Sequence, residues 1–191
     1  MATRLTSRST LMATLLCACL VLGCAQAPST LEHLDEQTGV TIRQMGRPLE
    51  FQSPDPAGPD ALWFAYLGAL EVNRMGVLNR YLWLSVMPAG AAAQQGAARQ
   101  MSLEVLASGS SIEPDWVSHD PAVIGLSRTP WRRPADWARD GYYAIDLAQL
   151  RSLREAGELT LVVADGNGNQ RRFTLFDPDT SSLQAFVDSL D

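Results

Sequence analysis

The chain has 191 residues, 46% of them hydrophobic and 19% charged, with a formal charge of −6. These values fit an ordinary globular protein of one domain. They argue against nucleic acid as a partner, because that binding rests on neutralising phosphates with basic side chains. All 15 basic residues are arginine, so no lysine is present to form a Schiff base or act as a general base.

Arg4 and Arg8 make a positive start with no acidic residue beside them, and Leu11 to Leu22 is an apolar run broken only by Thr14. A run of this length fits the h-region of an export signal and falls short of the roughly 20 residues that span a bilayer. It ends Val21-Leu22-Gly23-Cys24. That ending resembles the lipobox of bacterial lipoproteins: an aliphatic residue, a tolerant position, a small residue, then the cysteine that takes the lipid.

The resemblance implies cleavage between Gly23 and Cys24 and acyl chains on the Cys24 thiol, anchoring the protein to a membrane through that lipid. Ala25 in place of aspartate after the cysteine implies the outer membrane, with the domain facing the periplasm. Residues 1–23 are thus the expected signal, 24–30 a small and polar tether, and 31–191 one domain. The signal holds two of the 15 basic residues and none of the 21 acidic ones, so its removal takes the charge from −6 to −8. Cys17 and Cys19 leave with it, so Cys24 alone remains and the mature protein can form no internal disulfide.

Ser29-Thr30-Leu31-Glu32 reads as a capping box, and with Leu31 and Leu34 three apart it predicts a short helix near 30–37, closed by Gly39. Val40 to Met45 and the residues around Leu49 and Phe51 read as strands. The loop Pro54-Asp55-Pro56-Ala57-Gly58-Pro59 cannot continue a ladder. Residues 61–72 carry aromatic and aliphatic side chains on both parities, as in a strand buried on both faces. Asn73-Arg74-Met75-Gly76 turns the chain, and Arg80 to Met87 returns as the partner strand.

Pro88 to Gln100, rich in Ala, Gly and Gln, reads as a loop or poor helix. Met101 to Leu106 is a strand, and an irregular region follows to about residue 141, in which Val123 to Ser127 is a candidate strand. Tyr142 to Ile145 is a strand, and Asp146 caps a helix with Leu147, Leu150 and Leu153 on one face, closed by Gly157. Glu158 to Ala164 and Arg171 to Phe176 form a hairpin across Asp165-Gly166-Asn167-Gly168. Asp179 or Thr180 caps a last helix that buries Leu183, Phe186, Val187 and Leu190. These elements predict a mainly β protein, an antiparallel β-sandwich or open barrel with two or three short helices packed on it.

Chemistry is sparse. Asp165, Asn167 and Asn169 open like a calcium loop, but Gln170 and Phe176 stand where that motif needs glycine and glutamate, so a turn is expected. Met45, Met75, Met87 and Met101 are widely spaced with no histidine beside them, which favours core filling over copper. No metal or other cofactor is expected. Ser118-His119-Asp120 holds triad residue types at adjacent positions, which cannot line up as a triad.

One region stands out: Trp116, Arg128, Trp131, Arg132, Arg133 and Trp137 crowd a stretch of loop formers and hold three of the five tryptophans. Arginine beside exposed aromatic rings suits a protein or glycan interface. The alternative is that the rings cover the core, with their indole N–H groups bonded to loop carbonyls.

The segments beginning Leu67-Gly68-Ala69-Leu70, Tyr81-Leu82-Trp83-Leu84 and Tyr142-Tyr143-Ala144-Ile145 are similar to those of small proteobacterial lipoproteins, a resemblance that implies a class and no mechanism. The expected function is therefore a membrane-anchored, non-enzymatic binding or assembly module of the envelope. The competing expectation is a periplasmic hydrolase that uses His119 or a pair of carboxylates.

Overall fold

The structure is a computed structural model that describes residues 29–53, 62–88 and 100–191. The export signal, Cys24 and the tether through Pro28, the proline-rich loop at 54–61 and the stretch 89–99 lie outside the described residues.

The described chain is mainly β, as its alternation predicts. Strands β1 (Thr30–Asp35), β2 (Val40–Met45), β3 (Leu49–Gln52), β4 (Trp63–Arg74), β5 (Val77–Pro88) and β6 (Ser102–Ala107) come first. Then follow β7 (Ser110–Ile112), β8 (Asp115–Ser118), β9 (Arg139–Ala144), helix α1 (Leu147–Glu155), β10 (Leu159–Ala164), β11 (Gln170–Leu175) and helix α2 (Ser181–Asp188). All the pairings are antiparallel, in the order β7-β6-β10-β11-β3-β4-β5-β9-β8, with β2 joining β4 beyond the end of β3 and β1 flanking β2. The sheet curls into a half-barrel, the open-barrel form of the expected architecture. No helix among the described residues is long and apolar enough to cross a membrane.

The axis is the β4–β5 hairpin, paired from Trp63↔Pro88 to Arg74↔Val77. Leu67 to Val72 and Leu82 to Val86 are buried throughout, the two-sided burial predicted for this segment. Its two-residue turn places Met75 at φ 53° and Gly76 at φ 86°, the left-handed pair that matches strand twist. Gly76 needs no side-chain room there, and its N–H donates to Asn73 Oδ1 at 2.8 Å.

Because opposed residues share a face, the register sorts the sheet into two sides. One side carries Leu49, Phe51, Leu67, Leu82, Leu84, Tyr143, Leu161 and Phe173. Both helices pack here: α1 contributes Leu150 and Leu153, and α2 contributes Leu183, Phe186 and Val187, all buried. Each such side chain adds about 1.5–3 kcal/mol by leaving water. Asp146 caps α1, as the sequence predicts, accepting from Gln149 N at 2.7 Å, and the structure adds a return bond from Asp146 N to the Gln149 side chain.

Two local expectations are overturned. Residues 30–37 form no helix: Thr30 to Asp35 is a strand in register with β2, Thr30↔Met45 through Asp35↔Val40. The spacing of Leu31 and Leu34 that mimics a helical face instead places them on opposite sides of an edge strand, where pairing to β2 overrides local propensity. Val123 to Ser127 is not a strand either. Asp120 accepts from Ala122 N and starts a 3-10 turn over Pro121–Ile124, which Gly125 ends at φ 89°.

Candidate functional site

The opposite side of the sheet carries Ile42, Gln44, Gly68, Leu70, Trp83, Ser85, Asp140 and Tyr142. No α-helix among the described residues lies on it. The irregular region between β8 and β9 folds across it as a lid, burying Ile124, Leu126 and Trp131. The lid holds all but Trp116, in β8, of the residues in which the sequence places an interface, and it divides them.

Trp131 is 9% exposed and belongs to the core, which corrects its expected place on a contact surface. Its ring lies 5.2 Å from that of Trp83, in the space above Gly68, and its Nε1 donates to the Met45 carbonyl at 3.2 Å. Trp116 is half-buried on the helix side, edge-on to Tyr143 at 5.3 Å. Trp137 alone is exposed, at 51%. The three rings therefore form no shared patch.

Arg133 is held to the lid's own base: its Nε lies 3.0 Å from Asp140 Oδ2 and another nitrogen donates to the Ala138 carbonyl. Ser85 Oγ donates to the other oxygen of Asp140 at 2.7 Å. Burial pushes the Asp140 carboxyl upward, against these two partners. Burial likewise pushes the Tyr142 phenol up, helped by Asp140 and Asp120. Neither phenol nor carboxylate reaches solvent freely enough to do chemistry on a substrate.

Arg128 and Arg132 differ. Both are exposed, and neither guanidinium meets a partner among the described residues. They stand on the rim of a groove of about 820 Å3 between the β1–β2 hairpin and residues 127–132. Ile42 and Trp131 make its apolar floor, and Leu31 and His33 its far wall. Gln44 is 3% exposed in this floor; its Nε2 donates to the Pro130 carbonyl at 2.9 Å, while its Oε1 is buried without a donor.

Asp35 locks the groove's closed end. Its Oδ2 accepts from Ser127 N at 2.7 Å, and its Oδ1 from Gln37 N at 3.1 Å. The Ser127 amide, with help from Gln37 and Thr38, holds this carboxyl down at about 2. A charged aspartate thus joins the lid to the hairpin turn, fixing the groove's width. Sequence reasoning missed Leu31, His33, Asp35, Ile42 and Gln44, because the helix expected over 30–37 hides their shared face; the alternation Leu31, His33, Asp35 carries that signal.

The other candidates are structural. Ser118 Oγ accepts from Asp120 N at 2.9 Å, so Ser118-His119-Asp120 is a backbone turn with an exposed imidazole. Asp165 spends its oxygens on Asn167 N, Asn169 N and Asn169 Nδ2, at 2.9–3.0 Å, which makes it the predicted hairpin turn. Met45 and Met101 fill the core, but Met75, expected there, is 100% exposed, because residue 75 is the turn itself. Among the described residues, no three His, Cys, Asp or Glu side chains gather as metal ligands would.

The chain matches no protein-family model, and comparison with curated proteins and with solved structures finds no match.

Proposed function

We propose that this chain is a lipid-anchored protein of a bacterial envelope, held through acyl chains on Cys24 at the outer membrane and facing the periplasm. Its domain is a non-enzymatic binding module that contacts an envelope partner through the groove between β1 and the lid. The observation that carries the binding reading is the groove: about 820 Å3, apolar at the floor, with two guanidinium groups on its rim that meet no partner among the described residues. Unpaired arginine beside a sheltered apolar surface is the composition of interface hot spots. The lipobox-like Val21-Leu22-Gly23-Cys24 supports the anchor. A tether from Cys24 to Thr30 reaches at most about 20 Å at full extension, so β1 and its groove would work close to the membrane surface.

One experiment in bacterial cells tests both parts. Radiolabelled palmitate should enter the wild-type chain and not Cys24→Ala. A photo-crosslinking residue at Leu31 or Thr129 should yield adducts with an envelope component, and one at the exposed, distant Glu158 should not. Absence of label removes the anchor; equal adducts from all three positions, or none, remove the groove as the contact surface.

A further inference from the structure

We infer that the groove receives an extended, acidic segment of a partner polypeptide, added as the next strand beyond β1. This rests on the binding reading above and specifies its ligand. The first observation is backbone geometry. Gly46 N donates to the Ser29 carbonyl at 2.8 Å, one step beyond the Thr30↔Met45 pair. Hydrogen-bonded pairs alternate along an antiparallel ladder, so residues 31, 33 and 35 bond inward to β2. Thr30, Glu32 and Leu34 turn their N–H and C=O groups outward, and no strand among the described residues lies beyond β1.

Second, this edge lacks the usual protection. The strand contains no proline and no register shift, and Glu32 is drawn sideways into an ion pair with Arg43 at 2.9 Å. Natural edges are blunted by bulges, prolines or charges. Here Leu31 is 37% exposed on one face and Leu34 58% exposed on the other. A strand laid against β1 would cover both leucines, and every second side chain of that strand would project on the groove's face.

Third, charge selects the segment. Among the described residues Arg128 and Arg132 meet no partner on the groove rim, which they share with Glu36, while the groove's other carboxylate, Asp35, is spent on the Ser127 and Gln37 amides. Guanidinium groups pair carboxylates bidentately, so acidic side chains on the groove-facing parity suit them. A glycan could meet the arginines but offers no alternating backbone to pair with the strand edge.

The test uses the full chain in detergent and two fluorescent synthetic peptides of about six residues, matched to the length of the strand edge. One alternates leucine with glutamate, the other leucine with lysine. The acidic peptide should bind saturably and the basic one should not. Arg128→Ala and Arg132→Ala should each weaken binding about tenfold, the loss expected for one charge-assisted contact. Leu34→Pro removes one outward N–H while leaving the ladder to β2 intact, and should abolish binding with little change in melting temperature. Should that variant not fold, the arginine variants, both at exposed side chains, still decide the matter.

Equal binding of both peptides, or of neither, overturns the inference. So does binding of a glycan fragment alone, or a dimer of the chain that Leu34→Pro dissolves. Crosslinks at Leu31 in cells without acidic-peptide binding would sink this inference and leave the binding module standing. Absence of crosslinks would remove the module itself.

Discussion

Gly68 sits in the middle of β4 with Trp131 directly above it, and replacing it by alanine tests whether the lid is packed as described. A Cβ built on Gly68 would lie 2.5, 2.6 and 2.9 Å from three carbons of the indole ring. Carbon atoms rest about 3.5–4.0 Å apart, so the ring must withdraw by about 1 Å or β4 must bend. Gly68 is paired to Trp83 of β5 and lies between the stretches of β4 that pair with β3 and with β2, so β4 cannot bend cheaply and the ring moves. Overpacking of this kind costs about 1–3 kcal/mol. Alanine by itself favours a strand interior over glycine by about 0.5–1 kcal/mol, leaving a net loss near 1–2 kcal/mol and a fall in Tm of about 3–8 °C. The assay is a double-mutant cycle by thermal or urea unfolding. In a Trp131→Ala background, itself destabilised by about 3–5 kcal/mol, the same Gly68→Ala change should become neutral or stabilising. If Gly68→Ala costs the same in both backgrounds, the ring does not occupy the space above Gly68 and the floor of the groove is wrong.

Other residues give sharp expectations. Glu71 is buried between Arg80, 2.9 Å away without hydrogen-bond alignment, and Arg43 at 3.8 Å. Glu71→Gln leaves these cations under-compensated and should cost about 3 kcal/mol, the low end for breaking a buried pair since both arginines keep some solvent; urea unfolding measures it. Met75 holds φ 53° and is 100% exposed, so Met75→Gly should stabilise by about 0.5–1 kcal/mol through relief of backbone strain with no packing lost. Asp35, held at about 2 against an ordinary 3.8, contributes stability that is complete above its unfolded value and fades as pH falls from 3.8 toward 2. Asp140 is raised instead, so its protonation on acidification works the other way. Unfolding midpoints followed through this window should fall less steeply for Asp35→Asn than for wild type; identical slopes would mean that the Ser127 contact is not made in solution.

What was legible in the sequence follows from which forces act locally. The β4–β5 and β10–β11 hairpins announce themselves because turn residues and alternation lie next to each other in the chain, and Asp146 with Gln149 encodes its cap within four residues. The curled sheet's order, in which β10 reaches β6 and β11 reaches β3, is set by contacts distant in sequence and leaves no local mark. Residues 30–35 illustrate the conflict. Their capping-box residues favour a helix, but six paired positions on β2 outweigh that preference. The Arg–Trp cluster was legible as unusual and not as a surface, since composition cannot say which way a side chain points.

The lid shows why that cluster splits as it does. A sheet packed by helices on one side leaves its other side apolar at Ile42, Leu70 and Trp83, and the segment between β8 and β9 is the only long connection among the described residues that covers it. To do so it must send bulky rings inward and charges outward from consecutive positions, and Trp131-Arg132 does this in a single step. Coverage stops at β2 along most of its length, because Gln44 fastens the lid there by Pro130, and the lid reaches β1 only at its last residue, where Asp35 accepts from Ser127 N. The rest of β1, one strand further out, is left with a bare inner face. The groove is thus the part of the sheet the lid does not reach, and the arginines at its margin are the outward half of the pattern that buries Trp131. A partner strand that covers Leu31 would complete on β1 the burial that the lid provides over β2, β4 and β5.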